Sequence, residues 1–269
     1  SAFVIAGAEL IAFARSFDPL ADIIKKAHAE GIKVHAWISV YRVWRGASRP
    51  TGPHHIVNTH PDWLSRSFDG KLNAPDGIFL NPGNPEAQRH VSAMIEEIVR
   101  WYDIDGLHLD FIRYPHADWG YSPVALKRYT WDTGDVSKPP PSDLEWQAWK
   151  RDQVTRHVRR IHDLVRRIKP GIPITAATII YGDCPDGFRD TTAYRHLGQD
   201  WRNWLFKGYI DASVPMNYRD TSTPEGAARF SAWLKRLREW SCDTPMFVGM
   251  AAYLNDPKQI GEQIQEARR

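Results

Sequence analysis

The chain has 269 residues, with 35 Lys and Arg against 32 Asp and Glu, which gives a formal net charge of +3. Hydrophobic residues make up 42% of the chain and charged residues 25%, which excludes a largely disordered or collagen-like protein. So small a surplus of positive charge gives no reason to expect nucleic acid or an anionic membrane surface as a partner.

Predicted strands and helices alternate along the chain. Alternation of apolar and polar residues, or short apolar runs between turn residues, predicts strands at 33–41, 106–112, 174–181, 211–217 and 246–252. Apolar residues at helical spacing predict helices at 18–31, 84–102, 146–169, 199–206, 224–240 and 257–268. A sixth strand would form if residues 3–6 pair with the first. Strand followed by helix, repeated in this way, is typical of parallel βαβ units.

Two parallel architectures fit this order of elements, a closed (β/α)₈ barrel and an open doubly wound sheet. The first strand–helix turns contain neither G-x-G-x-x-G nor G-x-x-x-x-G-K-[ST], so the open sheet would lack the phosphate cradle of dinucleotide- and nucleotide-binding folds. The sequence therefore favours a single α/β domain over residues 1–269, a (β/α)₈ TIM barrel. Such a barrel needs eight strands, and the visible pattern supplies only five or six.

Alternate side chains of a barrel strand point inward, and the last inward residues lie at the C-terminal rim, where barrel enzymes keep their sites. If the apolar set of each strand faces the helices, the inward set is polar or aromatic. The residues predicted to line a pocket at this rim are His35, Trp37, Tyr41, Arg42, His108, Asp110, Arg113, Tyr114, Tyr181, Asn217, Tyr218 and Tyr253.

Asp110 is the leading candidate for chemistry. It interrupts the apolar run L-H-L-D-F-I, where a carboxylate is costly to bury unless it is hydrogen-bonded or paired. Arg113 is expected to supply a cation that favours the ionised form, either for function or as a structural ion pair. Asp103, Asp105 and Asp211 precede their strands instead, which predicts caps and turns at the opposite end of the barrel.

Three tryptophans and two histidines have both a structural and a functional interpretation. Trp44, Trp119 and Trp131 follow strand-like runs in loop segments, where an indole ring either joins the core or stacks on a ligand. His35 and His108 occupy matching inward positions, where they are either satisfied core residues or residues that shape the site.

No cofactor or metal is predicted. His54, His55 and His60 cluster in a loop, but neither H-E-x-x-H nor another defined ligand spacing occurs there. Cys184 and Cys242 form no C-x-x-C motif and no disulfide framework. No apolar run of about 18 residues and no basic leader with an apolar stretch is visible, so neither a membrane span nor a signal peptide is expected.

Six segments follow one another along nearly the whole chain in a specific combination: HAWISVYRV at 35–43, LNPGNPE at 80–86, DIDGLHLDFIRYP at 103–115, WKRDQV at 149–154, DWRNWL at 200–205 and VPMNY at 214–218. In this combination the chain resembles glycosyl-hydrolase-like family 10, also called domain of unknown function 187. The resemblance implies a (β/α)₈ barrel of bacterial, envelope-associated glycosidases, some of which act on peptidoglycan glycan strands.

The resemblance also assigns positions within the barrel. It implies that the D-G-x-H-x-D strand is the fourth and that Asp110 is the carboxylate at the family's rim. The family often has a second Asp directly afterwards, where this chain has Phe111, so no role is carried over to that position. The first two strands and the eighth would lie outside residues 1–269, which would leave the barrel incomplete at both ends.

Together these observations predict a glycoside hydrolase that acts on a bacterial cell-wall or extracellular polysaccharide and is secreted or lies in the cell envelope. Such enzymes place two carboxyls about the scissile bond. Asp110 is expected to be the nucleophile or the base that activates water, with Asp183, Asp220 or a residue on a missing strand as the acid of raised pKa. The alternatives are an inactive carbohydrate-binding barrel and a metal-dependent polysaccharide deacetylase or hydrolase.

Overall fold

The computed structural model describes residues 2–5, 17–46 and 48–268. The strands over these residues are β1 (Ala2–Ile5), β2 (Val34–Ser39), β3 (Arg42–Trp44), β4 (Ile78–Phe79), β5 (Gly106–Asp110), β6 (Ile174–Thr178) and β7 (Ala212–Pro215). β1, β2, β5, β6 and β7 lie side by side in that order, each parallel to its neighbour, while β3 and β4 form a short antiparallel pair. Among the described residues, no strand pairing closes the parallel sheet into a ring.

The helices in the same residues are α1 (Pro19–Ala29), α2 (Ile56–Thr59), α3 (Pro85–Trp101), α4 (Pro123–Thr133), α5 (Leu144–Ile168), α6 (Thr192–His196), α7 (Trp201–Phe206), α8 (Pro224–Trp240) and α9 (Pro257–Arg268). Four of the long helices begin in the same way, with a capping side chain followed by proline. The capping residues are Asp18, Asn84, Ser122 and Thr223, and each accepts a backbone N–H of the first turn. Proline costs nothing there, because its missing N–H would have no partner in the helix.

Four of the five predicted strands are confirmed, and each observed strand is shorter than its predicted range. The predicted pairing near residues 3–6 is present in β1, where Phe3 pairs with His35, whereas residue 6 lies outside the described residues. β1 therefore adds a parallel strand at the edge of the sheet, beside β2.

The fifth predicted strand, at 246–252, is wrong as a continuous strand. That segment runs parallel to β7 but meets it only in isolated bridges, from Met246 to Ser213 and from Gly249 to Met216. Pro215 lies between these bridges on β7, and its nitrogen carries no hydrogen to donate. A regular ladder is therefore interrupted at the point where the prediction required one.

The main hydrophobic core lies between the parallel sheet and the helices. Along β2, Val34, Ala36 and Ile38 are buried and belong to the same core cluster as Ile24 of α1 and Ile95 of α3. A second, aromatic cluster joins α4 to α5 and contains Tyr121, Tyr129, Trp146 and Trp149. In the part of the chain that the structure describes, no helix is long and apolar enough to cross a lipid bilayer.

Two aspartates that immediately precede strands secure the N-terminal ends of the sheet, as predicted. Asp105 accepts the backbone N–H of Val34, where β2 begins, at 2.7 Å, and contacts the His28 ring at 2.8 Å. Asp211 accepts the N–H that opens β6 at 2.6 Å and two hydrogen bonds from Arg166 of α5, at 2.7 and 2.6 Å. Each carboxylate thus ties a neighbouring strand and a helix to its own strand. Asp103, largely exposed beside them, lies 3.7 Å from the Lys169 ammonium.

Candidate active site

Asp110 is the last residue of β5 and lies at the C-terminal end of the sheet. Register with β2 places it beside Ser39, with His108 beside Trp37. The Asp110 side chain is only 8% exposed. Its Oδ2 accepts a hydrogen bond from the indole Nε1 of Trp37 at 3.1 Å, and its Oδ1 accepts the backbone N–H of Phe111 at 2.7 Å. The inward direction predicted for Trp37 and Asp110 is the one the structure shows.

The turn that ends β5 has an unusual backbone. Phe111 has φ of 49°, the left-handed region that side chains other than glycine rarely adopt. This turn directs the Phe111 N–H back onto the preceding carboxylate. The Phe111 ring lies beneath the Arg42 guanidinium, whose carbon is 3.6 Å from the ring centroid. Left-handed residues of this kind cost about 1 kcal/mol or more and cluster at functional sites.

Burial raises the pKa of Asp110 above its ordinary value. The hydrogen bonds from Phe111 and Trp37 and the charges of Arg113 and Arg42 act in the opposite direction but do not outweigh the loss of solvent. Arg113 thus favours the ionised form of Asp110, as expected, but burial has the larger effect on the pKa. Arg113 is itself buried, and it donates to the Asp76 carboxylate at 2.9 Å.

Asp76 is the residue that the sequence analysis missed. It stands at the tip of a two-residue turn, Pro75–Asp76, closed by two hydrogen bonds of 2.9 Å between Ala74 and Gly77. Gly77 has φ of +118°, and a Cβ there would collide with the carbonyl oxygen of Trp44, so glycine is required. The P-D-G signal for a turn is visible in the sequence, but nothing in it shows that the tip reaches Arg113 beside β5.

Three of the predicted aromatic residues are exposed, and two of them, Tyr181 and Tyr218, lie near Asp110. Tyr181 follows β6, Tyr218 follows β7, and Tyr253 follows the segment that runs along β7. The rings of Tyr218 and Tyr253 meet edge to face, with centroids 6.5 Å apart. Burial raises the pKa of Tyr181 and of Tyr218, and the charge of Asp110 adds to the rise in both, so both phenols lie within its electrostatic reach.

A cleft of about 540 Å³ opens beside Asp76 and Tyr181. Its walls come from the 74–77 turn, the segment after β5, Tyr181 and the region of α6. The lining residues are Pro75, Asp76, Pro115, His116, Ala117, Asp118, Tyr181, Thr192, His196 and Leu197. This volume is within the range of small-molecule sites, and the mixture of proline, tyrosine, carboxylate and imidazole suits a polar ligand with flat faces.

Tyr41 and Tyr114 were predicted to line the pocket, and both are buried in the core instead. The Tyr41 hydroxyl is 2.5 Å from Nδ1 of His157 on α5. Tyr114 packs beside Gly120 and Gly198. The prediction continued the two-residue alternation of each strand, but β2 ends at Ser39 and β5 at Asp110, so the alternation stops before either tyrosine.

Asn217, Trp119 and Trp44 were also predicted to contact a ligand, and the structure gives them structural contacts instead. Asn217 is fully buried and donates from Nδ2 to the carbonyl of Phe230 on α8 at 3.2 Å. Trp119 is buried, and its backbone pairs with that of Ser67. Trp44 lies in β3, and its indole donates to a nearby loop carbonyl at 2.6 Å. The side chains of Asn217 and Trp44 therefore have structural partners and that of Trp119 is buried, whereas Trp131 on α4 is 89% exposed.

The two aspartates expected to complete the carboxylate pair have partners of their own. Asp183 is highly exposed and forms an ion pair of 2.6 Å with Arg229 on α8. Asp220 accepts the backbone N–H and the hydroxyl of Ser222 and shapes the turn before α8. These hydrogen bonds lower the pKa of Asp220, which is the wrong direction for the acid of the pair.

The histidines of the sheet form a polar layer beneath the rim. Nδ1 of His108 lies 2.7 Å from the hydroxyl of Thr175 on β6. Burial, together with the charge of His35, lowers the pKa of His108 to about 4, and burial also lowers the pKa of His35. His108 is therefore a neutral, hydrogen-bonded residue at neutral pH. Within the described ranges, no group of three His, Cys, Asp or Glu side chains is arranged to hold a metal ion.

The profile of the family described as Glycosyl hydrolase-like 10 matches residues 12–265 of this chain. The chain belongs to that family. Among curated proteins, glycosyl hydrolase YngK of Bacillus subtilis (strain 168) is 27% identical over 268 residues, covering 92% of this chain and 50% of that protein. Glycosyl hydrolase DigH of Escherichia coli (strain K12) is 26% identical over 267 residues, covering 91% and 56%. The chain thus spans about half the length of these curated relatives of the Glycosyl hydrolase-like 10 family.

The fold of this Glycosyl hydrolase-like 10 chain also matches a solved glycoside hydrolase domain, that of PgaB (BpsB) from Bordetella bronchiseptica. The TM-score is 0.62 at 16% identity, and the match covers 95% of this chain and 72% of that one. At this identity the likeness concerns the fold alone. It identifies the parallel sheet as part of the TIM-barrel architecture of glycoside hydrolases, which confirms the predicted fold class.

Proposed function

We propose that this chain hydrolyses glycosidic bonds of a bacterial polysaccharide, with Asp110 and Asp76 as the two carboxyls. The observation that carries the proposal is Asp110: a buried carboxyl of raised pKa at the C-terminal end of a barrel strand. Buried carboxyls of this kind are costly for stability and are found where chemistry needs them. Membership of the Glycosyl hydrolase-like 10 family supports the reaction class.

The environments of the two carboxyls suggest their roles. Burial favours the protonated form of Asp110, which suits a general acid that gives its proton to the leaving glycosidic oxygen. Asp76 is half-exposed and accepts a charge-assisted hydrogen bond from Arg113, which suits a carboxylate that attacks the sugar or activates water. This assignment reverses the roles expected from the sequence, where Asp110 was the nucleophile or base.

The remaining side chains of the rim would bind the substrate. Tyr181, Tyr218 and Tyr253 present exposed rings on which sugar faces can stack. Trp37 holds the carboxyl of Asp110 in place through its indole N–H. Arg42, held over Phe111, supplies a cation that interacts with Asp110 and Asp76. We place the polysaccharide in the cell wall or the extracellular matrix of a bacterium, and the protein outside the cytoplasm.

The test is the Asp110→Asn variant, which keeps the shape of the side chain and removes the acidic proton. We expect it to fold and to lose at least about a hundredfold in kcat/KM on bacterial cell-wall glycan, measured as released reducing ends, because this is the low end for loss of a general acid. Asp183→Asn, which changes an exposed ion pair with Arg229, is the matched control and should cleave like the wild type.

Cleavage by Asp110→Asn at nearly the wild-type rate would refute the assignment. A wild type that binds glycan but releases no reducing ends would instead identify the chain as a carbohydrate-binding barrel, whose exposed tyrosines serve recognition alone.

A further inference from the structure

Residues 114–120, within the connection between β5 and α4, are called the cleft loop. It contributes Pro115, His116, Ala117 and Asp118 to the cleft that opens beside Asp76. Buried side chains hold the backbone carbonyls of the loop. Arg113 donates to the carbonyls of Tyr114 and Pro115, at 3.2 and 3.3 Å, Asn81 donates to that of Gly120 at 2.8 Å, and Lys150 donates to those of Ala117 and Trp119. The wall of the cleft is therefore positioned from beneath.

Lys150 is an unusual member of this set. It comes from the middle of α5, is only 1% exposed, and its Nζ lies 2.7 Å from the Ala117 oxygen and 2.9 Å from the Trp119 oxygen. The ammonium also lies 5.1 Å from the ring centroid of Tyr114. Burying an ammonium is expensive, and carbonyl oxygens and an aromatic face recover only part of that cost.

The loop backbone leaves room for this lysine. Gly120 has φ of +115°, and a Cβ on it would come within 2.9 Å of Cδ of Lys150. A side chain at position 120 would therefore both strain the backbone and crowd the lysine stem.

We propose that Lys150 is a positioning residue of the active site, whose buried ammonium holds the cleft loop and so sets the wall of the cleft opposite Asp76 and Tyr181. The inference rests on the proposed glycosidase function. Within the part of the chain that the structure describes, Lys150 donates no hydrogen bond to Asp76 or Asp110, and it acts through the carbonyls of Ala117 and Trp119.

The charge of Lys150 should make this wall sensitive to pH. Burial lowers the pKa of Lys150 to about 7, and the charge of Asp118 offsets this only in part. The neighbouring His196 has a pKa lowered by burial and by the charges of Arg195 and Lys150. Deprotonation of Lys150 removes its charge and one of its three N–H donors, and neutral hydrogen bonds are roughly half as strong as charged ones. The cleft loop should therefore loosen as pH rises through about 7.

The first measurement needs no substrate and no variant. Hydrogen exchange of the Trp119 and Gly120 amides, corrected for the intrinsic effect of pH, should show falling protection between about pH 6 and pH 8, around the Lys150 pKa of about 7. Lys150→Met, which keeps the length of the stem and removes the donors, should show low protection throughout. Lys127→Met changes an exposed lysine of α4 and should behave as the wild type. Unchanged protection in Lys150→Met, or no pH dependence in the wild type, would overturn the proposal.

The second measurement is kinetic. We expect Lys150→Met to lose about tenfold or more in kcat/KM, since small displacements of substrate-positioning groups are costly. The kcat/KM of the wild type should fall as pH rises through about 7, and this fall should be absent from Lys150→Met. If Lys150→Met does not fold, Lys150→Arg decides, because arginine keeps its donors and its charge over this pH range. An active Lys150→Arg variant whose pH profile shows no change near pH 7 supports the proposal. A Lys150→Arg variant with the same change near pH 7 as the wild type overturns it.

A wild type that cleaves no glycan would refute the proposed function, while the exchange measurement would still decide the role of Lys150.

Discussion

The two ends of the parallel sheet use the same residue type in opposite ways. Asp105 precedes β5 at its N-terminal end, and Asp110 closes the same strand at its C-terminal end. Burial acts to raise the pKa of both carboxyls. At Asp105 the hydrogen bonds from Val34 and His28 outweigh burial and lower the pKa, whereas at Asp110 the hydrogen bonds from Phe111 and Trp37 do not.

The difference separates a structural end from a functional end. Asp105 and Asp211 have partners that stabilise the ionised carboxylate and join strands to helices. At Asp110 the cost of burial is only partly offset, and the residue lies close to a left-handed residue and two exposed tyrosines. Strained backbone and carboxyls with perturbed pKa values cluster at the functional sites of proteins.

The largest effect should come from Asp76, the residue that extends the functional end beyond β5. Asp76→Asn keeps an oxygen for Arg113 but removes the negative charge, so we expect kcat/KM on glycan to fall by at least about a hundredfold. Asp190→Asn, which changes an exposed ion pair with Arg195, is the control and should not alter kcat/KM. Full cleavage by Asp76→Asn would place the second carboxyl elsewhere and return Asp183 and Asp220 to consideration.

The structural end should respond in stability and not in turnover. Asp211→Ala removes both hydrogen bonds from Arg166 and leaves the N–H of Ile174 without its carboxylate, so we expect unfolding free energy to fall by about 2 kcal/mol. Urea denaturation measures this loss. Asp152→Ala, which breaks an exposed pair with Arg156 on α5, should cost no more than about 0.5 kcal/mol. Equal losses in the two variants would contradict a special role for Asp211.

A smaller effect is expected at the exposed rings. Tyr218→Leu keeps an apolar side chain and removes the flat face, so KM for glycan oligosaccharides should rise by about tenfold with little change in kcat, the range expected for loss of one stacking contact. Trp131→Leu is the control, because Trp131 is exposed on α4 and has no place in the proposed site. An unchanged KM in Tyr218→Leu would remove this tyrosine from the binding surface.

The sequence was sufficient for the features that depend on local periodicity. The alternation in β2 placed Trp37 correctly, and the position of Asp105 before its strand indicated its structural role. Features that depend on where a strand stops were not predictable. Tyr41 follows the end of β2 and turns into the core. This direction was not predicted, because no residue type in that segment marks Ser39 as the last strand residue.

Long loops and ladder defects also escaped prediction. Asp76 lies in the long connection between α2 and β4, and only tertiary structure brings it to Arg113. Residues 246–252 do not form a continuous strand because Pro215 on the neighbouring strand interrupts the pairing. The pattern of residues within 246–252 gives no sign of that proline. The raised pKa of Asp110 likewise depends on how deeply its side chain is buried, a tertiary property that the local sequence does not give.

The most direct test is a titration of the aspartate carboxyl carbons by NMR, with Asp110→Asn and Asp105→Asn used for assignment. The account predicts that Asp110 titrates above the ordinary aspartate value of 3.8 and Asp105 below it. By linkage, Asp105 should stabilise the fold above the unfolded pKa and lose that contribution as pH falls, whereas ionisation of Asp110 should destabilise the fold as pH rises. An Asp110 that titrates at or below the pKa of Asp105 would contradict the distinction between the two ends and the role of Asp110 as the acid.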